Sequence, residues 1–171
     1  MKGKIVFMVE NDVDQVIVET LVKRLVPSLS GRFRTVPMGT LAGFSVAYIG
    51  VIELLRKYPN YRFLVLFDTN TTDVYEIESL QNLFADPMKR YGLFEYVTFC
   101  PIIPNLNSWL LGKYQLPVKQ FGQKFDFHTI KQVAGRIDLT VLKQENANFR
   151  RFAEALQSYI QQQDLHLKKA A

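Results

Sequence analysis

Two acids stand directly at the ends of apolar runs: Glu10 closes IVFMV (5 to 9), and Asp68 closes FLVLF (63 to 67). Carboxylates so placed can hold a divalent cation or exchange a proton with a bound substrate. The loop after Asp68 reads Thr69, Asn70, Thr71, Thr72, Asp73. With Glu10, the oxygens of Asp68, Asn70 and Asp73 make a hard-ligand set suited to Mg²⁺ or Mn²⁺. In this set Asp68 is the best ligand, and Glu10 is either a second ligand or a general acid or base. A single Cys and two distant His, His128 and His166, argue against zinc. The same acids have a plainer use, because helix N-termini favour Asp and Glu. Asp73 reads foremost as such a cap, and Asp12 and Asp14, in NDVD (11 to 14), are cap residues as well as secondary site candidates.

The elements that would position these acids follow from the pattern of apolar residues. A short, nearly continuous β-branched and aromatic run reads as a strand covered on both faces, as in a parallel sheet flanked by helices. Ligands of such sheets bind outside the strands' carboxyl ends, so acids far apart in sequence can meet in one crevice. Val16, Ile17, Leu21, Val22 and Leu25 recur at helical spacing until Pro27. RFRTVPM (32 to 38) reads as a second strand. A largely apolar helix, buried on most sides, is expected from Leu41 to Lys57, then FLVLF as a third strand. A helix from Val74 to Tyr91 is expected to break or end near Asp86-Pro87, and YVTFCPII (96 to 103) reads as the fourth strand. The order predicts an α/β protein with a four-stranded, mainly parallel, Rossmann-like sheet. LNSWLL (106 to 111) starts a short helix, a loop holds Gly112, Pro117 and Gly122, and helices are expected over 128–137 and 146–163. The last carries Phe149, Phe152, Ala153, Leu156 and Ile160 on one face, ahead of a tail, QQQDLHLKKAA, expected to fray. The expected division is an α/β domain over 1–112 and a basic helical extension over 113–171 packed on it.

Bulk properties narrow the function classes. Hydrophobic residues are 48% of the 171 and aromatics 13%, a globular composition. The N-terminal apolar stretch is too short for a signal sequence, and Val36 to Ile52, the longest uncharged stretch, is too short and too rich in Gly and Pro to span a bilayer. A cytoplasmic protein without a membrane partner is expected. Cys100 is the sole cysteine, so an internal disulfide is ruled out, and its place in YVTFC reads as a buried, inert thiol. Residues 1–112 carry 11 Lys+Arg and 11 Asp+Glu, whereas 113–171 carry 10 against 5. The whole excess of +5 thus lies in the C-terminal third. That basic third could attract nucleic acid or form a solvated surface. GxGxxG and GxxxxGK[ST] are both missing, which removes the sequence case for a dinucleotide site or a P-loop. Trp109 could stack a base, but its spacing with Leu106 and Leu110 favours a core anchor.

The motifs in order resemble the Toprim domain, especially the small relatives of the overcoming-lysogenization-defect nucleases. That family reads strand-VEG-x-x-D, a PMGG-like turn, a strand ending DxDTTD, and P-x-IE-x-WLL after the fourth strand. The matching stretches here are VENDVD (9 to 14), VPMGT (36 to 40), FDTNTTD (67 to 73) and IPNLNSWLL (103 to 111), with NFRRFAEAL (148 to 156) similar to the closing helix. The resemblance implies Glu10 in acid/base work and Asp68, with Asn70, at Mg²⁺ during phosphodiester cleavage. Three amides depart from the pattern: Asn11 for glycine, Asn70 for an aspartate and Asn107 for the second glutamate. Exchanging Asp for Asn keeps an oxygen but removes a charge that attracts a divalent ion. Two readings follow: a metal-dependent nuclease with weakened catalysis, or a module of the same fold that only binds nucleic acid, a partner protein or a second copy. A third, lower-ranked reading is a receiver-like phosphoacceptor, with Asp68 phosphorylated near Lys119 or Lys124.

Overall fold

A computed structural model describes residues 4–111 and 127–169. The loop residues Gly112, Pro117, Lys119, Gly122 and Lys124 lie outside the described residues. The apolar runs form one sheet: β1 (Ile5–Val9), β2 (Phe33–Pro37), β3 (Arg62–Asp68) and β4 (Val97–Ile102) pair in the order β2-β1-β3-β4, every pair parallel. β1 and β3 are central, so every residue of IVFMV and of FLVLF is buried.

Successive side chains of a strand point to opposite faces, and each face has its own core. Ile5, Phe7, Val9, Leu64 and Leu66 meet Ile17, Val18 and Leu21 of α1 (Asp12–Leu25) and Phe149, Phe152 and Leu156 of α8 (Ala147–Lys169). Ile130 and Ala134 of α6 (Phe127–Arg136) join this core. On the other face, Val6, Met8, Phe63, Val65 and Phe67 meet Phe44 of α2 (Leu41–Ser45), Ala47 and Val51 of α3 (Ala47–Lys57), and Phe84 and Met88 of α4 (Val74–Arg90). α1 therefore leaves β1 for one face and α4 leaves β3 for the other. Between these two neighbouring strands lies the topological switch point.

Several expectations are corrected. The apolar helix over 41–57 is two helices, broken at Val46 (φ −107°, ψ 3°), and Val46 and Ile49 are half exposed, so it is not buried on most sides. Gly43 explains the local path: a Cβ there would collide with the Met38 carbonyl, so α2 can approach the preceding turn only with glycine. Pro87 neither breaks nor ends α4. It sits in the last turn, where its missing N–H costs one bond and its carbonyl accepts from the Tyr91 N–H at 3.1 Å. A further helix, α7 (Leu139–Glu145), starts at Asp138, which accepts from the N–H groups of Thr140 and Val141 (2.8 and 3.2 Å). α8 continues helical to Lys169 through the segment expected to fray. Cys100 is half-buried rather than sealed, and desolvation pushes its thiol up to about 12, which leaves it inert. Among the described residues no helix is long and apolar enough to cross a membrane.

Candidate functional site

Glu10 follows β1 directly, and its backbone is held from the β2 side. The Met38 N–H donates to the Val9 carbonyl and the Gly39 N–H to the Glu10 carbonyl, both at 2.8 Å. Gly39 has φ +86°, a left-handed conformation natural to glycine, so the VPMGT turn exists to make this clamp. Next, Asn11 has extended φ (−146°) and caps α1, its Oδ1 accepting from the N–H groups of Val13 and Asp14 (2.9 and 3.1 Å). Glycine freedom is not needed there, and asparagine does what an N-cap requires.

The cap places Asp14 in the first turn of α1, on the buried side. Ile17, Val18 and Leu21 lie three, four and seven residues on and are fully buried, so Asp14 occupies the apolar stripe and is only 6% exposed. Asp68 ends β3 and is half-buried. Its Oδ1 accepts the Leu106 N–H at 2.8 Å. The loops after β3 and β4 are tied together by the Thr69 N–H to the Ile102 carbonyl (3.0 Å) and the Asn70 N–H to the Pro104 carbonyl (2.7 Å). The buried Thr69 hydroxyl adds contacts to the carbonyls of Thr71 and Ile102 (2.8 and 3.2 Å).

The three acids feel one another. Burial, then the charges of Asp68 and Glu10, push the Asp14 carboxyl up to about 7, against the opposing pull of the Asn11 and Glu10 backbone. Burial also raises Asp68 to about 6, with the Leu106 N–H opposing and the Glu10 charge adding to the rise. Neither Lys nor Arg pairs with Glu10, Asp14 or Asp68 among the described residues. The crevice therefore gathers acids without a basic partner among the described residues, and burial and mutual repulsion favour the protonated forms of Asp14 and Asp68. Among the described residues no three His, Cys, Asp or Glu side chains form a ready-made metal cluster. The donor chemistry suits Mg²⁺, which is commonly held by one or two carboxylates with water completing its shell.

The other sequence candidates fall elsewhere. Asp12 is exposed on α1. Asp73 is the N-cap of α4, accepting from the N–H groups of Tyr75 and Glu76 (2.9 and 3.1 Å), as expected. Asn70 is exposed with φ 54°, a conformation Asn tolerates. Asn107 is half-buried, and its carbonyl accepts from the Leu110 N–H at the start of α5 (Ser108–Leu111). Trp109 is a core anchor, 1% exposed and edge-on to Phe149 at 5.1 Å. His128 is exposed beside Gln132. Sequence reasoning gave Asp14 only secondary rank, although an acid on the apolar stripe of α1 marks it. It could not find the Leu106 N–H, a backbone group carried in by a loop. A groove of about 440 Å³, lined by Thr69, Thr71, Glu76, Ser79, Leu80 and Leu83, runs beside Asp68 along α4.

No family model matches the chain, and no curated protein matches it. Among solved structures, the chain is similar to the C-terminal region of the Xanthomonas campestris pv. campestris OLD protein, at 16% identity and a TM-score of 0.38. That superposition covers 99% of this chain and 95% of the other. Likeness at this level assigns no family, and the acids carry the functional reading by themselves.

Proposed function

We propose that the chain is a metal-dependent phosphodiesterase acting on nucleic acid, with Glu10, Asp14 and Asp68 as its acidic centre. The observation that carries this reading is the electrostatic coupling of Glu10, Asp14 and Asp68, two of them with raised pKa, beside a switch point where, among the described residues, no Lys or Arg pairs with them. Asp68 and either Glu10 or Asp14 would hold Mg²⁺ or Mn²⁺, with Asn70 adding at most a neutral oxygen. Such an ion supplies charge neutralisation at a phosphate and polarisation of its P–O bonds. The chain's own groups have separate tasks. The Leu106 N–H fixes the orientation of Asp68. Glu10, half-buried directly after β1, would take the proton of an attacking water. The groove along α4, with Thr71 and Ser79 in its lining, would receive a bound strand.

Plasmid nicking with Mg²⁺ or Mn²⁺ tests this. Wild-type protein should nick, and Glu10→Ala and Asp68→Asn should each lose about a hundredfold or more. Equal activity in Glu10→Ala would overturn the assignment. A second reading, a module that binds without cleaving, is favoured by the lack of a three-residue cluster among the described residues and by the amides Asn70 and Asn107. Calorimetric titration separates the two: Asp68-dependent affinity for Mg²⁺ well below millimolar supports catalysis, and absent affinity supports the binding module.

A further inference from the structure

The opposite end of the sheet has a different chemistry. Helices that connect parallel strands run antiparallel to them, so the C-terminal turns of α3 and α4 lie beside the N-terminal ends of β3 and β4. A surface groove of about 480 Å³ opens there, lined by Ile52, Leu55, Arg56, Tyr91, Leu93 and Tyr96 among others. Its volume is in the range of small-ligand pockets and exceeds what a single nucleobase needs.

Aromatic rings and cations alternate around this groove. Tyr91 is half exposed and stacks on Tyr48 with centroids 4.8 Å apart and planes 7° apart, which braces a ring at the surface. The Arg62 guanidinium lies 4.8 Å from the Tyr96 centroid, Lys89 lies 5.6 Å from that of the half-exposed Phe94, and Lys57 lies 5.4 Å from that of Tyr58. Arg56 and Arg90 form neither an ion pair nor a hydrogen bond among the described residues. Arg56, Lys57, Arg62, Lys89 and Arg90 outnumber Glu53, Asp86 and Glu95 at this pole, and Asp86 is already paired with Lys89. Cations in the last turn of a helix complement its dipole, which accounts for Arg56, Lys57, Lys89 and Arg90 as helix residues. The dipole gives no reason for exposed, braced rings among them. Rings that stack bases and cations that attract phosphates are together the surface of a single-strand binder.

We propose that this groove binds single-stranded nucleic acid, a base stacking on Tyr91 and Tyr96 and the adjoining phosphates drawn to Arg56 and Arg90. The surface is separate from the acidic crevice, at the other end of the same strands. Its occupancy does not depend on cleavage.

Fluorescence anisotropy of a labelled oligothymidylate of about twelve nucleotides, titrated with the full chain in EDTA, tests it. Tyr91→Ala should weaken binding about tenfold, Tyr91→Phe should leave it unchanged, and Arg56→Glu should weaken it and lower the slope of log affinity against log salt by about one. Binding is read in EDTA, where no divalent ion supports nicking, which keeps this result independent of the nicking result. Should Tyr91→Ala not fold, the surface substitution Arg56→Glu decides. Wild-type affinity in both Tyr91→Ala and Arg56→Glu, or no binding at all, overturns the proposal. Displacement by polyglutamate as readily as by unlabelled oligothymidylate would assign the groove to an acidic protein instead, and would also overturn it.

Discussion

A carboxyl group taken out of water keeps its proton to higher pH than one left in it, and Asp14 and Asp68 both do so. Unfolded, each titrates near 3.8; folded, they titrate near 7 and 6. Between these values the native state binds protons that the unfolded state has released. This contribution to stability is fully present below the unfolded value and is lost as pH rises through 6 and 7. In metal-free buffer Asp14→Asn should therefore melt higher than wild type at pH 8, by the equivalent of about 1–2 kcal/mol, and the gap should narrow as pH falls and close only near the unfolded value of 3.8. A lower melting temperature at pH 8 would show that the carboxylate has a partner after all. The positions of Glu10 and Asp68 at the ends of buried strands were legible, because each apolar run stops at its acid. Asp14 was partly legible, since it shares a stripe with Ile17, Val18 and Leu21. The groups that orient the site were not legible: the Leu106 N–H and the Gly39 N–H belong to the backbone, and no residue type announces them.

Asn11 and Asp73 are both helix caps, but they begin elements with different duties. Asn11 starts α1 and, through the Asp14 N–H, sets the turn that turns Asp14 inward. Asp73 starts α4, whose first turn is exposed. Each cap is worth about 1 kcal/mol. Asp73→Ala should lose about that much stability in chemical denaturation and leave nicking and Mg²⁺ affinity unchanged. Asn11→Ala should lose a similar amount and also reduce nicking. A fall in metal affinity in Asp73→Ala would return Asp73 to the ligand set. The start of α1 could be read from NDVD, and that of α4 from Asp73, because caps are local chemistry. The break at Val46 and the passage of α4 through Pro87 were not readable. The first follows from the contact between α2 and the Met38 carbonyl, and the second from where the helix happens to end.

Burial of the sheet requires both ends of the chain. Phe7 of β1 lies 6.1 Å from Phe152 of α8, and Phe152 lies 5.2 Å from Trp109, so one core joins the first strand, the short α5 and the last helix. Arg24 of α1 adds a polar clasp, donating to the carbonyls of Ala134 and Ile137 at 2.6 Å each. Phe152→Ala should cost about 3–5 kcal/mol, measured by urea denaturation as one cooperative transition. A cost below about 1 kcal/mol, or a separate transition for the C-terminal helices, would mean that they are an accessory layer. The alternation of strands and helices, and hence the parallel sheet, was legible from the apolar periods. The packing of a C-terminal helical extension was expected, but which sheet face it joins, alongside α1, was not legible, because an apolar stripe does not name its partner. The pairing of Phe7 with Phe152 also has a consequence during synthesis. When the ribosome has made all four strands, one face of the sheet has α1 on it but still lacks α6 and α8. Phe7, Val9, Leu64 and Leu66 gain their final cover, from Phe149, Phe152 and Leu156, only after about fifty further residues have emerged, an interval in which the nascent chain offers a ready surface to a chaperone.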